Sequence, residues 1–345
     1  MKKKLLYAAL IFSIICLIIF LINFNNSFKE NEINHNITTK TTDAPVPTLP
    51  PSTTTTIHSS TRTTTTRITT STKTTTTKKI TTTTKDNNVS LKTEDEIKSL
   101  KLEEYLIGVL ACEIPASYNK EALKAQAIAS RTYAVYKMET SNKDYDLVAT
   151  IDDQCYITES EMKKKWGNTY NKYYKIIKNA VESTEGIIMT KNGNLFKSFY
   201  FSTSNGQTRD SQTVFKEGSI TSVSSSWDKN SKNYEVATEF KKDALIKLLG
   251  DFDTIQIKTR DNANNVTKVC VDEDCYSGIE FRKLINLRST DFIIDIIDNN
   301  YVITTKGYGH GVGMSQYGAN YLAGKGYDYK YILNYYYNNV KFEKY

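Results

Sequence analysis

A lone acidic side chain, Glu113, stands in the apolar stretch GVLACEIPASYNK. Val109, Leu110, Cys112 and Ile114 flank it in the sequence and would form an apolar wall. Removing a carboxyl group from water disfavours its charged form, so its pKa rises and it can donate a proton near neutral pH. Cleavage of a glycosidic bond needs such a proton donor. The pattern therefore points to acid catalysis, with an exposed helix-end glutamate as the alternative.

A glycine-rich segment near the C-terminus, GYGHGVGMSQYGA at residues 307–319, carries two polar tips, His310 and Gln316. Closely spaced glycines let the backbone approach a ligand or another chain segment. A phosphate loop would end in GK[ST], and a dinucleotide site has its own glycine spacing with a later acidic residue, so neither pattern is matched. The segment is either part of a binding site or a glycine-rich connection with a hydrogen-bonded histidine.

A third segment, SFYFSTSNGQT at residues 198–208, reads as a strand that passes into a hydroxyl-rich turn. Its hydroxyl and amide groups suit sugar recognition, and the ring of Tyr200 could stack on a pyranose face. The alternative is an ordinary strand and turn.

Nucleophilic catalysis is the competing interpretation of these residues. Many serines could be paired with His310, but the sequence has no GxSxG elbow. Cys112 with His310 is another conceivable nucleophile and base. The apolar neighbours of Cys112 would raise the pKa of its thiol, which argues against that pair.

The cysteines and histidines do not have metal-site spacing. Of five cysteines, Cys270 and Cys275 flank a short acidic turn, where a hairpin disulfide and two free thiols are both open. His35 and His58 fall in a Thr-rich region, which leaves His310 for the folded part. The sequence therefore predicts no metal site and no other cofactor.

Helical and strand-like patterns alternate irregularly around these motifs. Apolar spacing predicts a helix over residues 94–114 that Pro115 stops, and an Ala-rich helix that follows Asn119 as its cap. Another helix is predicted at 167–187, followed by strands with a turn at Asn192-Gly193. Further strands at 253–259, 265–271 and 291–304 are mixed with short helices. Helices followed by paired strands predict an α+β domain with mostly antiparallel strands.

The N-terminal region has a different composition. Leu5 to Ile22 is an uncharged run of 18 residues, about one bilayer crossing and longer than a signal-peptide core. Residues 1–24 are therefore predicted to be an uncleaved transmembrane anchor, with the lysines before it in the cytoplasm and the rest outside. Residues 25–89, rich in Thr, are predicted to be a disordered linker. Residues 90–345 would be a single extracytoplasmic domain of a single-pass membrane protein.

The net charge of +7 belongs to the N-terminal region. Residues 1–24 hold three lysines and residues 25–85 hold eight basic and three acidic side chains, so residues 86–345 carry −1. A nearly neutral folded part gives nucleic-acid binding little electrostatic support, and we expect no nucleic-acid partner.

Taken in order, three segments resemble the SpoIID/LytB family of cell-wall lytic transglycosylases. They are YLIGVLACEIPASYNKEALKAQAIASRTYAVY, FSTSNGQT and GYGHGVGMSQYGANYLAGKGYDYKYILNYYY. The resemblance implies non-hydrolytic cleavage of the β-1,4 bond between N-acetylmuramic acid and N-acetylglucosamine in peptidoglycan, with Glu113 as the catalytic acid. It also implies a glycan site that is faced or braced by a larger set of residues: Gln126, Arg131, Tyr133, Tyr200, Ser202, Ser204, His310, Ser315 and Gln316. For Arg131 a structural ion pair is an equal alternative.

The chain also departs from the family pattern. Ser204-Asn205-Gly206 replaces the usual Ser-Gly-Gly, and Cys155 lacks the neighbouring ligands of the zinc site that some relatives have. Membership implies peptidoglycan glycan strands as the main partner. Some members are named as enhancers of a cell-wall amidase, so a wall-binding enhancer without catalysis is the alternative function.

Overall fold

The computed structural model describes residues 87–218 and 220–345. The predicted transmembrane anchor at 1–24 and nearly all of the predicted linker at 25–89 lie outside the described residues. Within the described ranges, no helix is both long enough and apolar enough to span a membrane.

The described part combines helices with several small sheets, which confirms the α+β class. The helices are α1 (Leu102–Glu113), α2 (Lys120–Thr140), α3 (Glu159–Trp166), α4 (Tyr170–Glu182), α5 (Ser211–Phe215), α6 (Lys242–Leu249), α7 (Gly278–Leu284), α8 (Gln316–Gly324) and α9 (Tyr329–Tyr337). The strands are β1 (Asn88–Lys92), β2 (Ile97–Lys101), β3 (Leu147–Val148), β4 (Ile187–Thr190), β5 (Tyr200–Phe201), β6 (Glu235–Lys241), β7 (Ile255–Arg260), β8 (Val266–Val271), β9 (Asp274–Ser277), β10 (Asp291–Ile297), β11 (Asn300–Lys306), β12 (Met314–Ser315) and β13 (Lys341–Lys344).

These strands form small sheets in which most neighbours are antiparallel. The three-stranded sheets have the orders β2-β1-β3, β10-β11-β6 and β7-β8-β9, and β12 pairs with β5 and β13 with β4. Only β1 with β3 and β12 with β5 run parallel among these described pairs.

The Ala-rich helix α2 is the central element of the main core. Ala122, Ala125, Ala127 and Ala134 are fully buried, and the buried positions occur around the whole helix. A helix that is apolar on all sides is covered on all sides. Here α1, α4, α8, α9 and β4 pack around it, and small alanine side chains let these elements come close.

A second core lies among β6–β11 and the helices α6 and α7. Leu245, Val269, Phe281, Phe292 and Ile303 are at its centre. Cys270 and Cys275 lie directly opposite each other on β8 and β9 and form a disulfide, so the hairpin disulfide replaces the alternative of two free thiols.

Two local predictions are wrong. The predicted helix over 94–114 begins only at Leu102, because Ile97–Lys101 pairs with β1 as the antiparallel strand β2. Asn119 precedes α2, but its side chain makes no cap hydrogen bond and instead donates to Asn320 Oδ1 at 2.8 Å. In both cases a hydrogen-bond partner outside the predicted segment outcompetes the local preference.

Candidate active site

The two polar segments near residues 200 and 310 meet in the fold. Strand β5 runs parallel to β12, with Tyr200 opposite Met314 and Phe201 opposite Ser315. Gly313 has a φ of 80°, and a Cβ there would collide with the carbonyl oxygen of Phe199, so only glycine allows this approach. The two segments are far apart in the sequence, and the close contact between the backbones at Gly313 and Phe199 brings them together.

Glu113 is the last residue of α1, and Ile114 after it is extended. Glu113 Oε1 accepts a hydrogen bond of 2.7 Å from the backbone N–H of Cys155, and the Tyr200 hydroxyl hydrogen-bonds the same carboxyl group. Burial raises the pKa of Glu113 to about 7, while these two hydrogen bonds and the charge of Lys165 lower it in part. Near neutral pH the group can therefore both hold and release a proton.

The segment of residues 149–158 covers Glu113 and is attached to α1 by a disulfide. Cys112 pairs with Cys155, with Cα atoms 5.7 Å apart. The segment crosses α1 at Gly108, where a Cβ would collide with the ring of Tyr156. Because Cys112 is disulfide-bonded, it has no thiol to act as a nucleophile, and the Cys112–His310 hypothesis is wrong for this structure.

Gln154, which the sequence analysis did not select, organises the groups behind Glu113. Its amide accepts from the Tyr105 hydroxyl at 3.0 Å and donates to the Tyr200 hydroxyl at 3.0 Å and to the Ser130 carbonyl at 3.3 Å. Gln154 is only 1% exposed. A fully bonded buried amide of this kind fixes the Tyr200 hydroxyl against Glu113. Its place in an irregular polar stretch, DDQCY, gives no periodic signal that could have indicated this role.

Lys165 on α3 is a second residue that the sequence analysis missed. Its Nζ donates to the carbonyl oxygens of Ala111 at 2.7 Å and Cys112 at 3.4 Å. Burial lowers the pKa of Lys165 to about 8, and the charge of Glu113 opposes that shift.

Tyr133 and Arg131 on α2 are engaged inside the protein. The Tyr133 hydroxyl donates to Asp153 Oδ1 at 3.0 Å, which fixes the segment that carries Gln154. Arg131 is 0% exposed and donates to both Glu103 oxygens, at 2.8 and 2.6 Å. Arg131 therefore forms a structural ion pair, the second of the two alternatives, because none of its surface faces solvent.

Four other predicted glycan-site residues are buried and connect the elements behind the site. Gln316 Nε2 donates to Gln126 Oε1 at 3.3 Å, which joins α8 to α2. Ser315 caps α8 by accepting from the Gly318 N–H at 3.1 Å. Ser204 donates its N–H to Asp228 Oδ2 at 2.7 Å. Tyr200 and Ser202 are partly exposed, so both can reach a ligand directly.

His310 supports the strand that carries Tyr200. Its Nδ1 accepts from the Val312 N–H at 3.0 Å, and it hydrogen-bonds the Tyr200 backbone. The ring packs against Phe199, Phe201 and Phe215. Burial lowers the pKa of His310 to about 3, so the imidazole is neutral near pH 7 and does not supply a charge.

A metal site would require a cluster of suitable side chains. Among the described residues, no group of three or more His, Cys, Asp or Glu side chains is arranged to hold a metal ion. Cys155, at the position near which some relatives bind zinc, is used in the disulfide with Cys112.

Comparison with known proteins identifies the family. The family model "Stage II sporulation protein" (SpoIID) matches residues 90–190, which include α1, α2 and Glu113. The chain is also 36% identical over 258 residues to a protein from Bacillus subtilis strain 168, an alignment that covers 71% of this chain and 75% of the relative. The chain therefore belongs to the SpoIID family.

The relatives have informative names. The Bacillus subtilis relative is Stage II sporulation protein D, and the protein of the same name from Bacillus amyloliquefaciens is 37% identical over 257 residues, 71% of this chain and 74% of that protein. A more distant relative from Bacillus subtilis is named Amidase enhancer. It is 29% identical over 303 residues, which cover 70% of this chain and 40% of that protein.

Proposed function

We propose that the protein is a peptidoglycan lytic transglycosylase in which Glu113 is the single general acid and base. The observation that carries this proposal is the Glu113 carboxyl group itself, partly buried, with a pKa of about 7 and with a backbone N–H and a tyrosine hydroxyl directed at it. Membership of the SpoIID family supports a cell-wall substrate.

The reaction can proceed with one carboxyl group. Protonated Glu113 gives its proton to the glycosidic oxygen of N-acetylglucosamine as the bond to C1 of N-acetylmuramic acid breaks. The 6-hydroxyl oxygen of the same muramic acid then bonds to C1, and its proton goes to the Glu113 carboxylate. The product is a 1,6-anhydro sugar, and the enzyme returns to its starting state without water.

This chemistry needs no second carboxyl group, and Asp153 and Asp228 are both held in contacts within the protein. A hydrolase generally needs a second carboxyl group to activate water or to attack C1. Here Asp153 is bonded to Tyr133, to Lys137 and to the Val148 N–H, and Asp228 is buried behind Ser204. The proximity of the sugar's own hydroxyl replaces that second group.

The remaining residues would hold the site and the sugar. Tyr200 fixes the Glu113 carboxyl group with its hydroxyl, and its ring and Ser202 would contact the glycan. Gln126, Ser204, Ser315, Gln316, His310 and Tyr133 would act from behind as braces. No cofactor is part of this proposal.

We place the reaction outside the cell, on a protein held by its N-terminal segment in the membrane. Two disulfides in the folded part support an oxidising exterior compartment. The names of the two Bacillus relatives support a role in sporulation.

A second candidate function is enhancement of a cell-wall amidase by a wall-bound protein that does not cleave glycan. The relative named Amidase enhancer favours it. It predicts binding to glycan strands without cleavage, and an effect only when an amidase is added.

Digestion of glycan strands that lack stem peptides distinguishes the two. The full-length protein should release fragments with 1,6-anhydro ends, which are lighter by one water than hydrolytic ends. Glu113→Gln should release none, and Glu104→Gln, which changes an exposed glutamate on the same helix, should match the wild type. Equal cleavage by Glu113→Gln would overturn the proposed role of Glu113.

A further inference from the structure

The C-terminal end of α1 is an unfavourable place for a carboxylate. Carbonyl groups in the last turn of a helix lack helical partners and carry the negative end of the helix dipole. Glu113 is the last residue of α1, and the final turn reads LACE, with no basic residue of its own. Burial and the helix dipole therefore both disfavour the carboxylate that forms when Glu113 gives up its proton.

Lys165 reaches this helix end from a different element. It lies in the last turn of α3, which begins at Glu159 directly after the segment of residues 149–158, and Thr158, the last residue of that segment, caps the helix. Its ammonium group donates to the carbonyl oxygens of Ala111 and Cys112, the two residues before Glu113. The positive charge of Lys165 thus lies against the last carbonyl groups of α1, directly before the residue on which a negative charge must form.

We propose that Lys165 is a positioning residue that caps α1 and provides the charge compensating the Glu113 carboxylate after proton transfer. It does not touch the sugar in this account. It holds the end of α1 in place and makes the carboxylate state available, so that Glu113 can take the proton back from the 6-hydroxyl group. The effect of Lys165 on catalysis rests on the proposed function. The effect of its charge on the Glu113 carboxyl group does not.

The other titratable groups near Glu113 would not replace this charge. Tyr200 on β5 and Tyr105 on α1 interact with Glu113, and burial raises the pKa of both hydroxyls well above the ordinary value. They stay neutral and can only donate or accept hydrogen bonds. The charge of Lys165 lowers the pKa of Glu113, so its loss should raise that pKa further.

The direct test is the titration of the Glu113 carboxyl carbon by ¹³C NMR in the full-length protein, assigned by its absence in Glu113→Gln. In Lys165→Met the midpoint should move upward by about one pH unit, the lower range for loss of a nearby opposite charge. Lys165→Gln, which keeps an N–H donor without charge, should move it in the same direction and serves if the Met variant does not fold. Lys165→Arg and Lys164→Met, which changes the exposed neighbour on α3, should keep the wild-type midpoint.

Kinetics provide a second readout. Both neutral variants should move the alkaline limb of the pH–rate profile upward by about one pH unit, in step with the Glu113 midpoint, with little change in KM because Lys165 does not contact the glycan. A wild-type midpoint in Lys165→Met and Lys165→Gln would overturn the inference, even if the melting temperature falls, since a structural role alone would give that result. Failure of the wild type to produce anhydro ends would overturn the proposed function and leave the titration result standing as the test of Lys165.

Discussion

The raised pKa of Glu113 predicts that replacing this residue makes the protein more stable at neutral pH. Glu113→Gln keeps the shape of the side chain and an oxygen that can accept from the Cys155 N–H, but it cannot ionise. Below the ordinary pKa of 4.5 the wild-type group is protonated in both folded and unfolded chains. As the pH rises from 4.5 to about 7, the unfolded chain loses this proton while the folded chain still holds it, so the stability of the wild type falls across this window.

The magnitude follows from the size of the shift. A change from 4.5 to about 7 corresponds to about 3 kcal/mol at 1.36 kcal/mol per pKa unit. The attraction to Lys165 is already contained in this value, because that charge is one of the causes of the net shift. For a folded part of this size, 3 kcal/mol is roughly 6–12 °C in melting temperature.

Thermal unfolding of wild type, Glu113→Gln and Glu104→Gln between pH 4 and pH 8 tests this. The difference between Glu113→Gln and wild type should be small near pH 4, should grow in favour of the variant up to about pH 7, and should level off by pH 8. Glu104→Gln should show no such growth, because Glu104 is exposed. A difference that does not change with pH would mean that Glu113 ionises normally in the folded protein, and the reasoning about its burial would be refuted.

Three further predictions concern activity. In the wild type, kcat/KM should fall as the pH rises through about 7, because only protonated Glu113 can protonate the leaving group; a rate that is flat from pH 6 to 8.5 would contradict this. The double variant Cys112→Ser, Cys155→Ser should lose about 4 kcal/mol of stability, because the unfolded chain regains the entropy of a loop between cysteines 43 residues apart. Its activity should also drop, because the Cys155 N–H is no longer fixed. The control variant Cys270→Ser, Cys275→Ser, in the second core, should keep full activity. Tyr200→Phe removes the hydroxyl between Glu113 and Gln154. The variant should lose about 1–3 kcal/mol of folding stability, and the alkaline limb of its pH profile should move upward. An unmoved limb would show that the hydroxyl does not act on Glu113.

Several features of the site could be predicted because they are local in the sequence. Glu113 stands between apolar residues directly before a proline, and the structure places it at a helix end with a raised pKa. The Ala-rich pattern after Asn119 predicts α2, and the glycine spacing at 307–319 predicts a close backbone approach that Gly313 makes.

Other features depend on contacts between distant residues. Gln154 and Lys165 lie 41 and 52 positions after Glu113 in the sequence, in segments whose place over α1 depends on Gly108 and on a disulfide. The pairing of Cys112 with Cys155 could not be deduced, since connectivity is not encoded in spacing. The burial of Gln126, Ser315 and Gln316 likewise appears only when α2 and α8 pack together.

The central claim is that the substrate's own hydroxyl group, and not water, closes the reaction at Glu113. Digestion of purified glycan strands in H₂¹⁸O, followed by mass spectrometry of the new muramic acid ends, tests it most directly. The account predicts anhydro ends that contain no ¹⁸O, and their disappearance in Glu113→Gln. New reducing ends that carry one ¹⁸O would contradict the account, because water would then be the attacking group.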